Sequence, residues 1–228
     1  MAGRKKKPAL RMWLRYQVEL QMTGRFAASL PKTREEITTM LEHRKPVNPP
    51  EDGYPGETYI SIEDLTEEVA AKVGAIEGEE DHEEVKFGWA TFPKDDTGLY
   101  YEGRCVRGHL KDCATQVRGF LEPEVKALKA KVANKVYVVT DVIPLGAKEP
   151  AGTEARYVQV MTRMGPRSTI KYVEYLEKPE MTFELKVLND GVITPDILNT
   201  IFEYGSIHGM GQERSQGWER YTFNITEL

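Results

Sequence analysis

The chain has 228 residues, 40% hydrophobic and 29% charged, with two cysteines and a formal net charge of −5, a profile that excludes fibrous, disulfide-stapled and wholly disordered classes. No apolar run approaches the roughly 20 residues that span a bilayer, and the basic run Arg4 to Lys7 lacks the apolar segment of a secretory signal, so a cytoplasmic protein with no membrane partner is predicted. The acidity is local, with ten carboxylates between Glu63 and Glu84; the remainder is net basic, and a nucleic-acid partner is not excluded.

After a basic N-terminal arm, residues 10–22 alternate strictly, with Leu10, Met12, Leu14, Tyr16, Val18, Leu20 and Met22 on one face. That is a half-buried strand of a sheet open on one side. Trp13 interrupts the polar face. A short helix is predicted over 33–44, a Pro- and Gly-rich loop over 45–58, and a second helix after Ser61, an N-cap followed by Glu63 and Asp64 in the first turn. The acidic run 77–84 around His82 reads as a solvated loop. Together, 33–84 forms a helical, acidic insertion.

A strand over 85–92 and a turn at 95–98 lead to Tyr101-Glu102-Gly103-Arg104 and a helix running to about residue 121. On it Arg104, Arg107, Lys111 and Arg118 share one face, while Val106, Leu110, Cys113 and Val117 take the other. Cys105 and Cys113 lie about two helical turns apart, which argues against a disulfide. A lysine-rich helix is predicted over 124–133 and a strand over 136–143. Residues 150–178 read as a hairpin insertion whose tip carries Arg163 and Arg167. A strand over 181–188 follows, then a helix capped by Thr194 and Pro195 and expected to end at Gly205.

Between that helix and a last strand over 218–226 lies His208-Gly209-Met210-Gly211-Gln212-Glu213-Arg214-Ser215-Gln216-Gly217-Trp218-Glu219-Arg220. Three glycines in nine residues let backbone or phosphate approach closely, Arg214 and Arg220 add charge, and Trp218 adds an aromatic face. Locally the pattern equally describes a helix cap and a turn.

Without its insertions the order is βαββαβ, an α+β, ferredoxin-like or RRM-like core with an antiparallel sheet. The segment from Tyr101 to Lys111, the strand ending Thr140-Asp141-Val142, the run Tyr172-Val173-Glu174-Tyr175 into Phe183-Glu184-Leu185, and the loop from Gly209 to Trp218 occur in an order that resembles the RAMP superfamily, the RRM-like proteins of CRISPR ribonucleoprotein complexes. The chain departs from the family pattern at Asp112, where a glycine is usual, and at Glu219, where a small residue is usual. The resemblance is compatible with a CRISPR subunit or a stand-alone viral or plasmid relative.

The resemblance implies a backbone-type subunit that binds single-stranded RNA, such as a guide RNA, and assembles with related subunits or with itself. Gly209, Gly211, Gly217, Arg214 and Ser215 would contact phosphates; Arg104, Arg107, Lys111, Arg118, Trp218 and Arg220 would extend the track, and Arg163 and Arg167 would cross the strand as a thumb. A metal-independent endoribonuclease with His208 or His109 as general base is the enzymatic alternative. An adaptor that uses the acidic insertion against a basic partner, or as a nucleic-acid mimic, is the non-enzymatic one. No Walker loop, dinucleotide fingerprint, Cys/His metal spacing or serine elbow occurs, so no cofactor is predicted.

Overall fold

The predicted long first strand forms as β1 (Trp13–Met22) and becomes the inner strand of a four-stranded antiparallel sheet. In this computed structural model residues 11–43, 61–76, 88–162 and 165–228 are described; for 160–162 and 167 only the backbone is. Two short strands, β2 (Arg25–Ala27) and β3 (Leu30–Pro31), precede helices α1 (Arg34–Glu42) and α2 (Ile62–Val73). Next come β4 (Trp89–Thr91), β5 (Lys94–Asp95), β6 (Gly98–Glu102), α3 (Gly103–Val117), α4 (Leu128–Lys135), β7 (Val136–Val138) and β8 (Val142–Pro144). The chain continues through β9 (Gly152–Thr162), β10 (Gly165–Glu177), β11 (Glu180–Leu188), α5 (Pro195–His208) and β12 (Tyr221–Glu227).

The main sheet runs β12-β1-β11-β7. Numbered among the core strands alone this is 4-1-3-2, and with α3 and α5 it makes the ferredoxin-like βαββαβ core. Alternation explains its two faces. Val18, Leu20, Met22, Phe183, Leu185 and Val187 are buried with Val106, Leu110, Cys113 and Val117 of α3 and Leu198, Ile201 and Phe202 of α5. Each large side chain so buried contributes about 1.5–3 kcal/mol of transfer free energy. The opposite face is polar and internally paired: Arg15 makes two hydrogen bonds to Glu184, at 2.7 and 2.8 Å, and Glu19 accepts from Gln17 and Asn224. Trp13 meets Tyr137 edge to face at a ring separation of 5.5 Å. Met12, assigned by alternation to the buried face, is 66% exposed because it precedes the paired strand.

Several boundaries move for identifiable reasons. The apolar run 136–143 is not one strand: β7 leaves the sheet at Val138, and β8 pairs with β6 instead. Between them the backbone bends to receive the start of α3, with the Gly103 N–H donating to the Asp141 carbonyl at 2.8 Å. A Cβ at Gly103 would overlap the Thr140 carbonyl oxygen, so the small residue is a packing requirement. Helix α4 begins at Leu128 rather than 124, preceded by Ala127 at φ 53. Helix α5 runs through Gly205 to His208 and is capped by Gly209, whose N–H donates to the Gly205 carbonyl at 2.8 Å. Gly205 is a contact residue, since a Cβ there would lie 2.6 Å from His109 Nε2 and closer still to the Tyr221 hydroxyl.

A second sheet surrounds β10, which pairs with β9 along its length, with β2 at its end and in parallel with β4. This is the predicted hairpin, extended at both ends. Buried Glu174 ties the sheet together by accepting from Thr91 Oγ1 at 2.6 Å and Lys32 Nζ at 2.8 Å. Helix α2 starts on its predicted cap, Ser61, and α1 is capped by Thr33, a residue predicted to lie inside the helix; the two helices share a small separate core of Ile37, Ala70 and Val73. The acidic run 77–84 lies outside the described residues. Cys105 and Cys113 form no disulfide, and among the described residues no helix is long and apolar enough to cross a membrane.

Candidate nucleic-acid interface

Helix α5 delivers the chain into the glycine loop at Gly209, and all three loop glycines have positive φ: 84° at Gly209, 136° at Gly211 and 79° at Gly217. Both ends of the loop are fixed. Met210 is fully buried and its N–H donates to the Glu219 carbonyl at 3.0 Å, while the Glu219 N–H donates to the Arg25 carbonyl at 2.9 Å. Between these anchors, Arg214–Gln216 form a single 3-10 turn, and Gln212 and residues 214–217 are exposed.

Glu219 organises the interior of the loop. It is fully buried, holds a left-handed φ of 67°, and accepts from the Ala27 N–H at 3.3 Å. Its carboxyl lies directly beneath Gly211, where a Cβ would come within 2.5–2.7 Å of all three carboxyl atoms; any side chain at 211 would evict it. Burial pushes the Glu219 carboxyl up to about 8; amides of Ala27, Glu213 and Gln212 work against that rise and the neighbouring Glu213 adds to it. The one hydrogen bond described to this carboxyl is that from Ala27 to Oε1, and Oε2 is buried without a hydrogen-bond partner among the described residues. Glu213, also buried, is paired with Lys171 of β10.

The sequence-predicted residues separate into groups. Arg214 and His208 converge on Asp112 of α3: Arg214 Nη1 is 3.2 Å and His208 Nε2 3.4 Å from the same oxygen, Oδ2. The His208 contact lacks hydrogen-bond alignment, and Nε2 has no hydrogen-bond partner among the described residues. Its ring stacks on Tyr204 with centroids 5.3 Å apart. Lys111, next to Asp112 in sequence, and Arg118, just after the last residue of α3, have no carboxylate partner among the described residues. Ser215 and Arg220 are exposed.

Other candidates are committed to the fold. Arg104 pairs with Glu102. Arg107 donates to the Ala133 carbonyl at 2.6 Å and lies 5.3 Å from the Tyr137 ring centroid, joining α3 to α4 and β7. Trp218 is covered by the guanidinium of Arg156 at 3.9 Å and meets the Tyr175 ring edge on, so it anchors the loop to the hairpin. His109 is 5% exposed, bonds the Tyr221 hydroxyl at 2.9 Å and lies against Cys113. Burial pushes His109 down to about 4, with His208 and Arg214 adding to the effect. Arg163 and the side chain of Arg167 lie outside the described residues. Asp112 and Glu219, absent from the predicted site, are the two positions at which the chain departs from the family pattern.

No protein-family model matches the chain, and no curated protein matches it. Similar solved chains include one from the cryo-EM structure of the type III-B Cmr-beta complex bound to cognate target RNA, 11% identical with a TM-score of 0.38, covering 95% of this chain. A second comes from a type IV-B CRISPR complex, 10% identical with a TM-score of 0.41, covering 93% of this chain. The present chain spans 61% of the first and 90% of the second. Likenesses of this size assign no family.

Proposed function

We propose that the chain binds single-stranded RNA along the exposed span of the glycine loop and the adjoining basic face of α3, as a backbone-type subunit of a ribonucleoprotein assembly with related subunits or with itself. The observation that carries the reading is the exposure of Gln212 and residues 214–217 on a loop whose two ends are held by the core, with Arg214 reaching across to α3 at Asp112. The ordered motifs resembling the RAMP superfamily add to it. The polar sheet face offers a weaker platform because its charges are paired across the strands. Contacts of this kind fall on phosphates and give binding that is tolerant of sequence and sensitive to salt.

The test is filter binding of single-stranded RNA by the wild type and by the combined Lys111→Ala, Arg118→Ala and Arg214→Ala variant over a range of salt. Each lost phosphate contact lowers the log–log salt slope by about 0.7 for a single strand. Equal affinity and slope in both proteins would remove the reading.

A second reading, metal-independent RNA cleavage, is favoured by one observation: His208 is partly exposed at the loop edge beside Asp112 and Arg214. Labelled-RNA cleavage by the wild type and its loss in His208→Ala would support it, and full cleavage by His208→Ala would dismiss it.

A further inference from the structure

Resting on the RNA-binding reading, we propose that Asp112 occupies a phosphate site: its carboxylate stands between His208 and Arg214 where a phosphodiester of the bound strand takes its place. Both cationic or donor groups approach one oxygen, Oδ2, at 3.4 and 3.2 Å. Two donors converging on a single oxygen from different elements, one from the end of α5 and one from the 3-10 turn of the loop, is the arrangement an anionic oxygen requires. The His208 contact is close but misaligned, which leaves Nε2 without a hydrogen-bond partner among the described residues. Asp112 therefore fills the position electrostatically without satisfying it.

The surroundings suit exchange. The side chains of Asp112, Arg214 and His208 are 43%, 39% and 29% exposed, while His208 Nε2 itself is buried, so a ligand meets Arg214 at the surface and would reach Nε2 as Asp112 moves aside. An exposed ion pair of this sort is worth little, and a phosphodiester with its extra acceptor oxygens competes on favourable terms. His208 is held in place by stacking on Tyr204. Glu219 is the contrasting case: its carboxyl lies beneath the loop at Gly211 and accepts from the Ala27 N–H, but it is fully buried and remains in place as part of the loop's interior.

Asp112 thus reduces affinity for RNA while keeping Arg214 and His208 together in the free protein. Asp112→Asn preserves the shape and removes the charge. It is expected to tighten binding of a mixed-sequence single-stranded oligoribonucleotide about three- to ten-fold and to steepen its salt dependence. The gain should vanish when Arg214→Ala is added, because the vacated site has then lost its main cation. Unchanged or weakened binding by Asp112→Asn, with the wild type binding normally, would overturn this site and leave the RNA-binding reading standing. If the wild type binds no RNA, that reading fails, and inorganic pyrophosphate decides the site alone: displacement of the His208 ring resonances in Asp112→Asn supports it, and unmoved resonances overturn it.

Discussion

The Nε2 atom of His109 and the hydroxyl of Tyr221 form a 2.9 Å hydrogen bond beneath helix α5, which crosses them at Gly205. The bond joins α3 to β12 and determines which residue α5 can carry at the crossing.

Gly205→Ala is expected to lower stability by about 1–3 kcal/mol through overpacking, read as a fall in the urea midpoint. Adding Tyr221→Phe removes the nearest obstructing atom and should restore part of the loss. Gly103→Ala overlaps a backbone carbonyl, that of Thr140, so no side-chain substitution should rescue it. Equal rescue at both positions would contradict these assignments.

Stability should depend on pH through two buried groups of opposite sign. The Glu219 carboxyl stands at about 8 against 4.5 for a free glutamate, so the folded state holds the extra proton and stability falls between pH 4.5 and 8. The His109 imidazole stands at about 4 against 6.5, so the unfolded state holds the extra proton and stability rises between pH 4 and 6.5. Their contributions offset one another up to about pH 6.5, after which Glu219 alone lowers stability, by up to about 1.4 kcal/mol per pH unit for one proton. Urea denaturation from pH 5 to 9 should therefore show a decline above pH 6.5 in the wild type and none in Glu219→Gln.

Arg107 and Lys111 share a helix face and should behave differently. Arg107→Ala removes a hydrogen bond to the Ala133 carbonyl and a cation–π contact with Tyr137 and should cost about 1–2 kcal/mol of stability. Lys111→Ala should leave the denaturation midpoint within about 0.5 kcal/mol and act on RNA affinity. A Lys111→Ala protein as unstable as Arg107→Ala would refute the distinction.

Burial, with Asp112 adding to it, pushes the Cys113 thiol up to about 12, and the side chain is fully enclosed. A thiol reagent at pH 8 should modify Cys113 only as fast as the protein unfolds. Mass spectrometry of peptides after a labelling time course checks this, and rapid native-state labelling of Cys113 would count against it.

The main elements were legible because each has a single periodicity. Alternation located β1 and β11, first-turn acids and an apolar stripe located α1, and hydroxyl caps located α2 and α5. What was hidden depends on residues distant in sequence. Gly205 resembles a helix stop until His109 and Tyr221 are brought beneath it, and the run 136–143 resembles one strand until Gly103 docks on its middle. The same applies to the candidate site. Asp112 and Glu219 were visible as departures from a family pattern, but the partners that explain them, Arg214 and His208 in one case and Gly211 and Ala27 in the other, meet only in the folded chain. Helical spacing put Arg104, Arg107, Lys111 and Arg118 on one face, and could not say that Arg107 packs against α4, that Arg104 pairs with Glu102 or that α3 ends before Arg118.

The fixed ends of the glycine loop bear on the entropy of recognition. Met210 is sunk in the core, Trp218 is clamped by Arg156 and Tyr175, and the turn between them is closed by N–H donations from Gln216 to the Glu213 carbonyl and from Gly217 to the Arg214 carbonyl. A loop rich in glycine ordinarily loses much conformational freedom when a ligand immobilises it. Here most of that ordering is completed as the chain folds, so under the proposed RNA-binding reading glycine would serve close approach without imposing the usual entropic cost.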